Sequence, residues 1–311
     1  MVAIIITVKI KNIFGLLVIM TLFFLLLIYS RALSLAVIET SFFCVKRLIP
    51  SIFPYMVFAS FISESGLLNI VNKIPDSICS KLGICKKYLP EILLGMLCGF
   101  VSGAKLISEK YDNYSKKEAT SSIFLSSVAG PGFVISFIGI TLLKRIEFGI
   151  FLYITQILVA IILNKAYFKQ EFQNEYKATL KKQGLIDSFC SSVFNSSHTI
   201  ITICAYTIIF STMVSIIKAL FSLNNGYIIA IVSSILEISK GVEASINLSN
   251  YLVTACLIGF SVGFGGICVI FQTISVSKSN CLNKTQFIIL KLLQGTFCSL
   301  LAMLYIKLTN L

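Results

Sequence analysis

Four hydrophobic stretches of this chain are interrupted by glycine near what would be mid-membrane depth, and no other feature narrows its possible folds as much. Residues 90–107 carry Gly95, Gly99 and Gly103 before meeting Lys105. Residues 121–143 are split by Ala129-Gly130-Pro131-Gly132, residues 226–246 by Glu237-Ile238-Ser239-Lys240-Gly241, and residues 252–276 by Gly263-Phe264-Gly265-Gly266. Unpaired backbone groups cannot face lipid, so a helix broken inside a bilayer survives only when it is buried in protein or lines a polar cavity. A break also exposes half-helix ends, whose partial charges can hold solutes or ions. Glycine serves close helix packing as well, so a single cluster says little. Four in order say more.

That the setting is a bilayer follows from composition. The charged fraction is 13% and the hydrophobic fraction 57%, with a mean hydropathy of +0.92, whereas a soluble domain carries about a quarter charged residues. Too little polar surface remains to cover a globule in water. Uninterrupted apolar runs at 13–29, 49–65, 148–166, 199–220 and 287–306 are near the ~20 residues that a spanning helix needs. The expected fold is therefore an all-α, polytopic transmembrane protein with Gly-broken helices or re-entrant hairpins. Lys9 and Lys11 precede the first run, which exceeds the usual length of a signal-peptide core and reads as an uncleaved helix.

The order of the breaks reads as a duplication. Each unit has a lead-in, a span, two glycine-broken segments and a closing span. Gly103 to Gly132 is 29 residues and Gly241 to Gly266 is 25, so the units agree to about one helical turn. The expected organisation is an N-terminal transmembrane helix (1–32), a first gate-like repeat (33–164), a basic linker (165–187) and a second gate-like repeat (188–311). Repeats with discontinuous helices at matching positions are the pattern of secondary transporters, which bind solute between the repeats. Lys165, Lys169, Lys177, Lys181 and Lys182 make the linker cytoplasmic by the positive-inside rule. Arg31, Lys46 and Arg47 fit this less simply: either residues 33–46 lie along the interface or dip in and out, or the orientation is the reverse.

The net charge of +13 arises from 23 Lys and 3 Arg against 13 acids. These cations flank apolar runs and do not form a patch interleaved with aromatics, which points to the lipid bilayer surface and not to nucleic acid. Ten cysteines include Cys44, Cys98, Cys204, Cys256, Cys268 and Cys298 within apolar runs, where they read as small buried hydrophobes. Cys79 and Cys85 form the one pair that a loop could join. With His198 the only histidine, no metal site assembles. His198 itself, after Asn195-Ser196-Ser197, reads as a cap-region or interfacial residue.

Ionisable and amide groups near breaks are the candidates for contact with a solute, because each is costly in hydrocarbon. Glu237 reads either as an i,i+3 partner of Lys240 or as a cavity-lining carboxylate. Lys105 can snorkel or pair with Glu109, or it can bind solute. Gln272 can hydrogen-bond a neighbouring helix or a ligand. Substrate contact is expected at Lys105, Glu237, Gln272 and Ser275. The backbone of the breaks is expected at Gly99, Gly103, Gly130, Pro131, Gly132, Gly241, Gly265 and Gly266. No phosphate-binding glycine loop, nucleophile elbow or zinc-protease motif is present, so no catalytic residue and no cofactor is expected.

Several of these runs resemble one family. Gly99-Phe100-Val101-Ser102-Gly103-Ala104-Lys105 is similar to the "GYPxGAK" element of the sporulation integral membrane protein YlbJ family. Ala129-Gly130-Pro131-Gly132-Phe133-Val134-Ile135, with Gly139, resembles its "SGPLFIIGTVG". Phe264-Gly265-Gly266 followed by Gln272 and Ser275 is similar to its "FGGxSxxxQxxS", and Leu236-Glu237 before Gly241 resembles its "LE-x-x-x-G". Phe100-Val101 stands where Tyr-Pro is usual, Cys268 where Ser is usual, and Ser126-Ser127 where Asn is often found. The resemblance covers about residues 33–308. It implies a multi-pass membrane protein of endospore-forming bacteria, in the forespore or mother-cell membrane, needed for the spore cortex. It also implies the gate or nucleoside-recognition domain shared with concentrative nucleoside transporters. An unidentified small solute is then the expected ligand. A homo-oligomer or other sporulation membrane proteins are the expected partners, and a non-transporting scaffold for cortex assembly is the alternative.

Overall fold

The structure, a computed structural model, describes residues 16–65 (18, 19 and 22 apart), 74–111, 115–168, 184–278 and 280–309. Lys9, Lys11 and most of the basic linker (169–183) lie outside the described residues. All regular structure among them is helical. In chain order it comprises α1 (Ser30–Phe43), α2 (Ile49–Glu64), α3 (Asp76–Leu82), α4 (Leu89–Cys98), α5 (Phe100–Glu109), α6 (Lys116–Ser126), a π-helix (Gly132–Leu142) and α7 (Ile146–Phe168). There follow α8 (Leu185–Leu220), α9 (Gly226–Leu236), α10 (Ile238–Ile246), α11 (Tyr251–Phe264), α12 (Gly266–Val276) and α13 (Lys284–Thr309).

Among the described residues three helices are long and apolar enough to cross a bilayer unbroken: α7, α8 and α13. The α11–α12 run, Tyr251–Val276, is as long and as apolar but breaks at Gly265. In its most apolar window 72% of residues are buried, against 39–44% in the three unbroken helices. The broken helix is thus enclosed by protein while the unbroken ones show large apolar side chains outward, such as Ile154, Ile162, Ile201 and Leu304. That distribution is what lipid demands of a helix with unsatisfied backbone groups. The protein is a polytopic all-α membrane protein.

The lead-in of the first half differs from a separate interfacial helix. Tyr29 N donates to Leu25 O at 3.0 Å and Leu33 N to Tyr29 O at 2.9 Å, so helical bonding runs through Tyr29 into α1. A π-turn, Cys44–Leu48, then joins α1 to α2, placing residues 30–64 on one continuous helical path. Arg47 on that turn lies over the Phe137 ring, 5.3 Å from its centroid. In the second half, α8 begins at Leu185, fourteen residues before the apolar run at 199–220, because Ser188, Ser192 and Ser196 bury their hydroxyls inside the protein and not in lipid. His198 consequently lies in the interior of α8 and is no cap residue.

Small residues set the closest helix contacts. A Cβ on Gly259 would lie 2.6 Å from Cys298 O, and one on Gly263 would lie 2.8 Å from Gln294 O and 2.9 Å from the Gly295 Cα. This seam draws α11 and α13 together along their length, as small-residue stripes do in membranes. It also fixes which side chains of α13 face the interior. All ten cysteines are free thiols, Cys79 and Cys85 included.

Candidate functional site

The four breaks meet at one place. Between α4 and α5 the chain turns at Gly99, with φ 97° and ψ 175°, a conformation that favours glycine. Between α6 and the π-helix residues 127–130 leave the helical conformation. Between α9 and α10 it turns at Glu237 (φ −147°, ψ 126°), and between α11 and α12 at Gly265 (φ 84°). A Cβ on Gly130 would lie 3.3 Å from Gly99 N, so the first two breaks touch. One on Gly266 would lie 3.1 Å from Glu237 N, so the second two touch as well. One on Gly265 would lie 3.2 Å from the Phe100 ring, which joins the pairs.

Beside this junction is a small, partly open cavity of about 60 Å³. Gly99, Phe100, Ala129 and Gly130 line it from the first two breaks, Glu237, Ile238 and Ser239 from the third, and Val269 and Gln272 from α12. Ser51 and Tyr55 of α2 and Ile203 and Thr207 of α8 complete the wall. Apolar and aromatic side chains make up most of the lining, with one carboxylate, one amide and a few hydroxyls converging on it. That is the common make-up of a small-molecule pocket.

Glu237 is 1% exposed. It is the N-cap of α10: its Oε2 accepts from Lys240 N at 2.8 Å, and its backbone O accepts from Gly241 N at 2.9 Å. The positive end of the half-helix thereby supports a carboxylate that water does not reach. The Lys240 ammonium turns instead to Glu243, at 3.2 Å. The Glu237–Lys240 side-chain pairing weighed from sequence is thus replaced by a backbone cap, and the carboxylate lies on the cavity wall. Gln272 is buried on the same wall; its Nε2 donates to Ile203 O and to Cys268 Sγ, each at 3.3 Å.

Other expected positions fall elsewhere. Gly103 lies inside α5 and Gly241 inside α10, so neither forms a break. A Cβ on Gly103 would lie 2.5 Å from Ser126 Cβ and 2.7 Å from Gly95 Cα; one on Gly241 would lie 2.5 Å from Ser234 Cα and 2.8 Å from Ser261 Oγ. Both glycines press the two limbs of a broken segment together against a serine of the next helix. Ser126 and Ser261 each stand four residues before a break glycine, Gly130 and Gly265. Pro131 is right-handed helical at the entry to the π-helix, and Gly132 packs on Ser51 O. Ser275 is exposed near the end of α12 and returns its hydroxyl to Gln272 O at 2.8 Å, away from the cavity wall.

Lys105 does not reach this cavity either. Its ammonium donates to Asn195 O at 3.1 Å and Thr199 Oγ1 at 2.9 Å, and lies 4.0 Å from Glu109. It belongs to a polar seam between α2, α5 and α8. There Glu64 accepts from Ser60 at 3.0 Å, from Asn195 at 3.3 Å and from Ser191. Ser102, one turn before Lys105, lines both this seam and the break cavity.

Three residues at the break junction had escaped notice in the sequence. Gln156 of α7 accepts from Ala129 N at 3.0 Å and donates to Ala129 O at 2.7 Å, so it stands in for the missing helical partners of that break. Gln294 of α13 donates to Gln156 O at 2.9 Å. Lys291, fully buried on α13, donates to Ser127 O at 3.0 Å and Gln294 Oε1 at 2.7 Å, and lies 5.0 Å from the Phe100 ring centroid. The signal was present: a lysine and two glutamines inside runs otherwise apolar enough to span a membrane.

Comparison with known proteins agrees with this architecture. The family model described as Gate, nucleoside recognition, matches residues 45–220, more than half of the chain. Among solved structures, a doubly substituted CNTnw in an outward-facing state is similar, at a TM-score of 0.54 and 13% identity over 85% of this chain and 76% of that one. A singly substituted CNTnw in its intermediate 3 state has a TM-score of 0.55 at 13% identity, over 82% and 76%. At such identity the likeness concerns the fold. No curated protein sequence matches.

Proposed function

The chain belongs to the Gate, nucleoside-recognition, family and has a transporter-like fold, and from this premise we propose that it carries a small uncharged solute across the membrane through the cavity beside its helix breaks. The observation that supports this reading is the convergence of three breaks and the α12 helix that follows the fourth on one small cavity lined by Glu237 and Gln272. A carboxylate and an amide among aromatic and aliphatic walls suit a solute that offers hydroxyl or N–H donors and one apolar ring face. Nucleosides belong to that class, and a family named for nucleoside recognition supports the choice.

In this proposal the two halves are structural repeats. Gly103 with Ser126, and Gly241 with Ser261, play the same part in each. The seam holding Glu64, Lys105 and Glu109 is the route from the cavity towards one face of the membrane, with Ser102 at its inner end. The sequence resemblance to a sporulation family sets this transport in the forming spore, where the solute serves cortex assembly.

Uptake by proteoliposomes tests the reading. Wild-type protein is expected to accumulate at least one labelled nucleoside or related ring-bearing, hydroxylated solute, with Glu237→Gln and Gln272→Leu both strongly reduced. The same two variants, expressed at wild-type level in a spore-forming host, are expected to leave the cortex deficient. Uptake and spores that are normal in both variants would overturn the role given to the cavity. A stable co-purifying partner together with no uptake of any solute would favour the scaffold instead.

A further inference from the structure

The lysine buried beneath the α6 break has no counter-ion among the described residues, and its surroundings indicate its purpose. The Lys291 side chain is 0% exposed, and none of the ion pairs among the described residues includes it. Its partners are the backbone oxygen of Ser127, the amide oxygen of Gln294 and the face of Phe100. The titratable group nearest in effect is the Cys298 thiol, two turns along the same helix. A carbonyl, an amide oxygen and an aromatic face are neutral groups that present negative density to a cation.

Their location explains why they are assembled there. Ser127 ends α6, where the last carbonyls have no helical partner and the half-helix carries partial negative charge. Phe100 begins α5 directly after the Gly99 break, and its ring touches the Gly265 break. Carbonyl ends of this kind inside transporters coordinate a monovalent cation, which closes the break electrostatically. Here the positive charge is covalently attached. Its three N–H donors face two oxygens and one ring, and a second cation at this junction would meet a like charge in a buried site.

We propose that the Lys291 ammonium is a built-in cation. It takes the place of a bound alkali-metal ion at the junction of the breaks, so the protein keeps its closed junction without Na⁺ or K⁺. Where the transport reading above holds, solute movement is in consequence independent of a gradient of either ion. Removing the ammonium while keeping its oxygens converts the junction into a site for a small monovalent cation.

The test is thermal unfolding of the purified full chain in NaCl, KCl, LiCl and choline chloride at equal ionic strength. It requires no transport, so its outcome stands apart from that of the uptake assay. Wild-type protein and Lys291→Arg, which keeps the charge, are expected to unfold at the same temperature in all four salts. Lys291→Ala is expected to unfold earlier in choline and to recover, saturably, with an alkali cation or with methylammonium, which restores the missing head group. A saturable rise in the wild-type midpoint with Na⁺ or K⁺ would overturn the proposal, and that measurement does not depend on any variant folding. So would a Lys291→Ala protein that matches wild type in choline and ignores every cation.

Discussion

Replacing Gly241 with alanine is expected to destabilise the protein by about 2 kcal/mol, although alanine is the better helix former. The added Cβ would lie 2.5 Å from Ser234 Cα and 2.9 Å from Ser234 N, both main-chain atoms of α9. No side-chain rotation relieves such an overlap, so α9 and α10 must move apart. Overpacking of this kind costs up to ~3 kcal/mol, while Gly→Ala inside a helix returns ~1 kcal/mol. Gly226→Ala is the matched control, since its Cβ would meet only Leu248 Cδ2 at 3.5 Å, an ordinary contact. Every cysteine except Cys190 is buried or half-buried, so a thiol-reactive fluorophore reports unfolding directly. The Gly241→Ala midpoint should fall by several degrees while Gly226→Ala stays at the wild-type value. A Gly241→Ala midpoint equal to or above wild type would refute the packing argument.

Two further substitutions address the breaks themselves. Gln156→Leu strips the buried Ala129 N and O of their partners, and at ~1–3 kcal/mol for each unsatisfied group its midpoint in the same assay should drop further than that of Gly241→Ala. Gly265→Ala forces a Cβ into a left-handed position, 3.1 Å from Val269 Cβ. It should lose ~1–2 kcal/mol, and a midpoint unchanged from wild type would show that the α11–α12 turn does not need glycine.

The breaks were legible in the sequence wherever the backbone required glycine. Gly99, Gly265 and Gly266 adopt positive φ, and Gly130 sits against the Gly99 backbone, so the residue type marks each spot. The third break lies at the first residue of the expected Glu237–Gly241 interruption and not at its glycine. Its turn at Glu237 is extended, which any residue can adopt, while the conspicuous Gly241 answers to helix packing. Lys291, Gln156 and Gln294 escaped because counting apolar residues averages over an isolated polar one. Their importance rests on what α6 and α7 bring opposite them, which the order of residues does not encode. Lys105 and Ser275 were grouped with the site by nearness in sequence, yet one lies a helical turn past the cavity on α5 and the other near the outer end of α12.

Only the three-dimensional arrangement joins the halves. Phe100 from the first and Gly265 from the second are 165 positions apart in the chain, and their contact closes the junction. Lys291 crosses that boundary too, from the last helix to the end of α6.

Equilibrium binding of labelled nucleosides to the purified protein tests most directly whether the cavity among the breaks is the solute site. Saturable binding is expected for wild type and for Asp76→Asn, whose pair with Lys86 lies outside the cavity lining. Glu237→Gln and Gln272→Leu, each confirmed as folded by the thiol assay, should bind at least about tenfold more weakly, the equivalent of ~1.4 kcal/mol. Binding that is undiminished in both variants, or absent from wild type for every ring-bearing hydroxylated solute tried, would contradict the account.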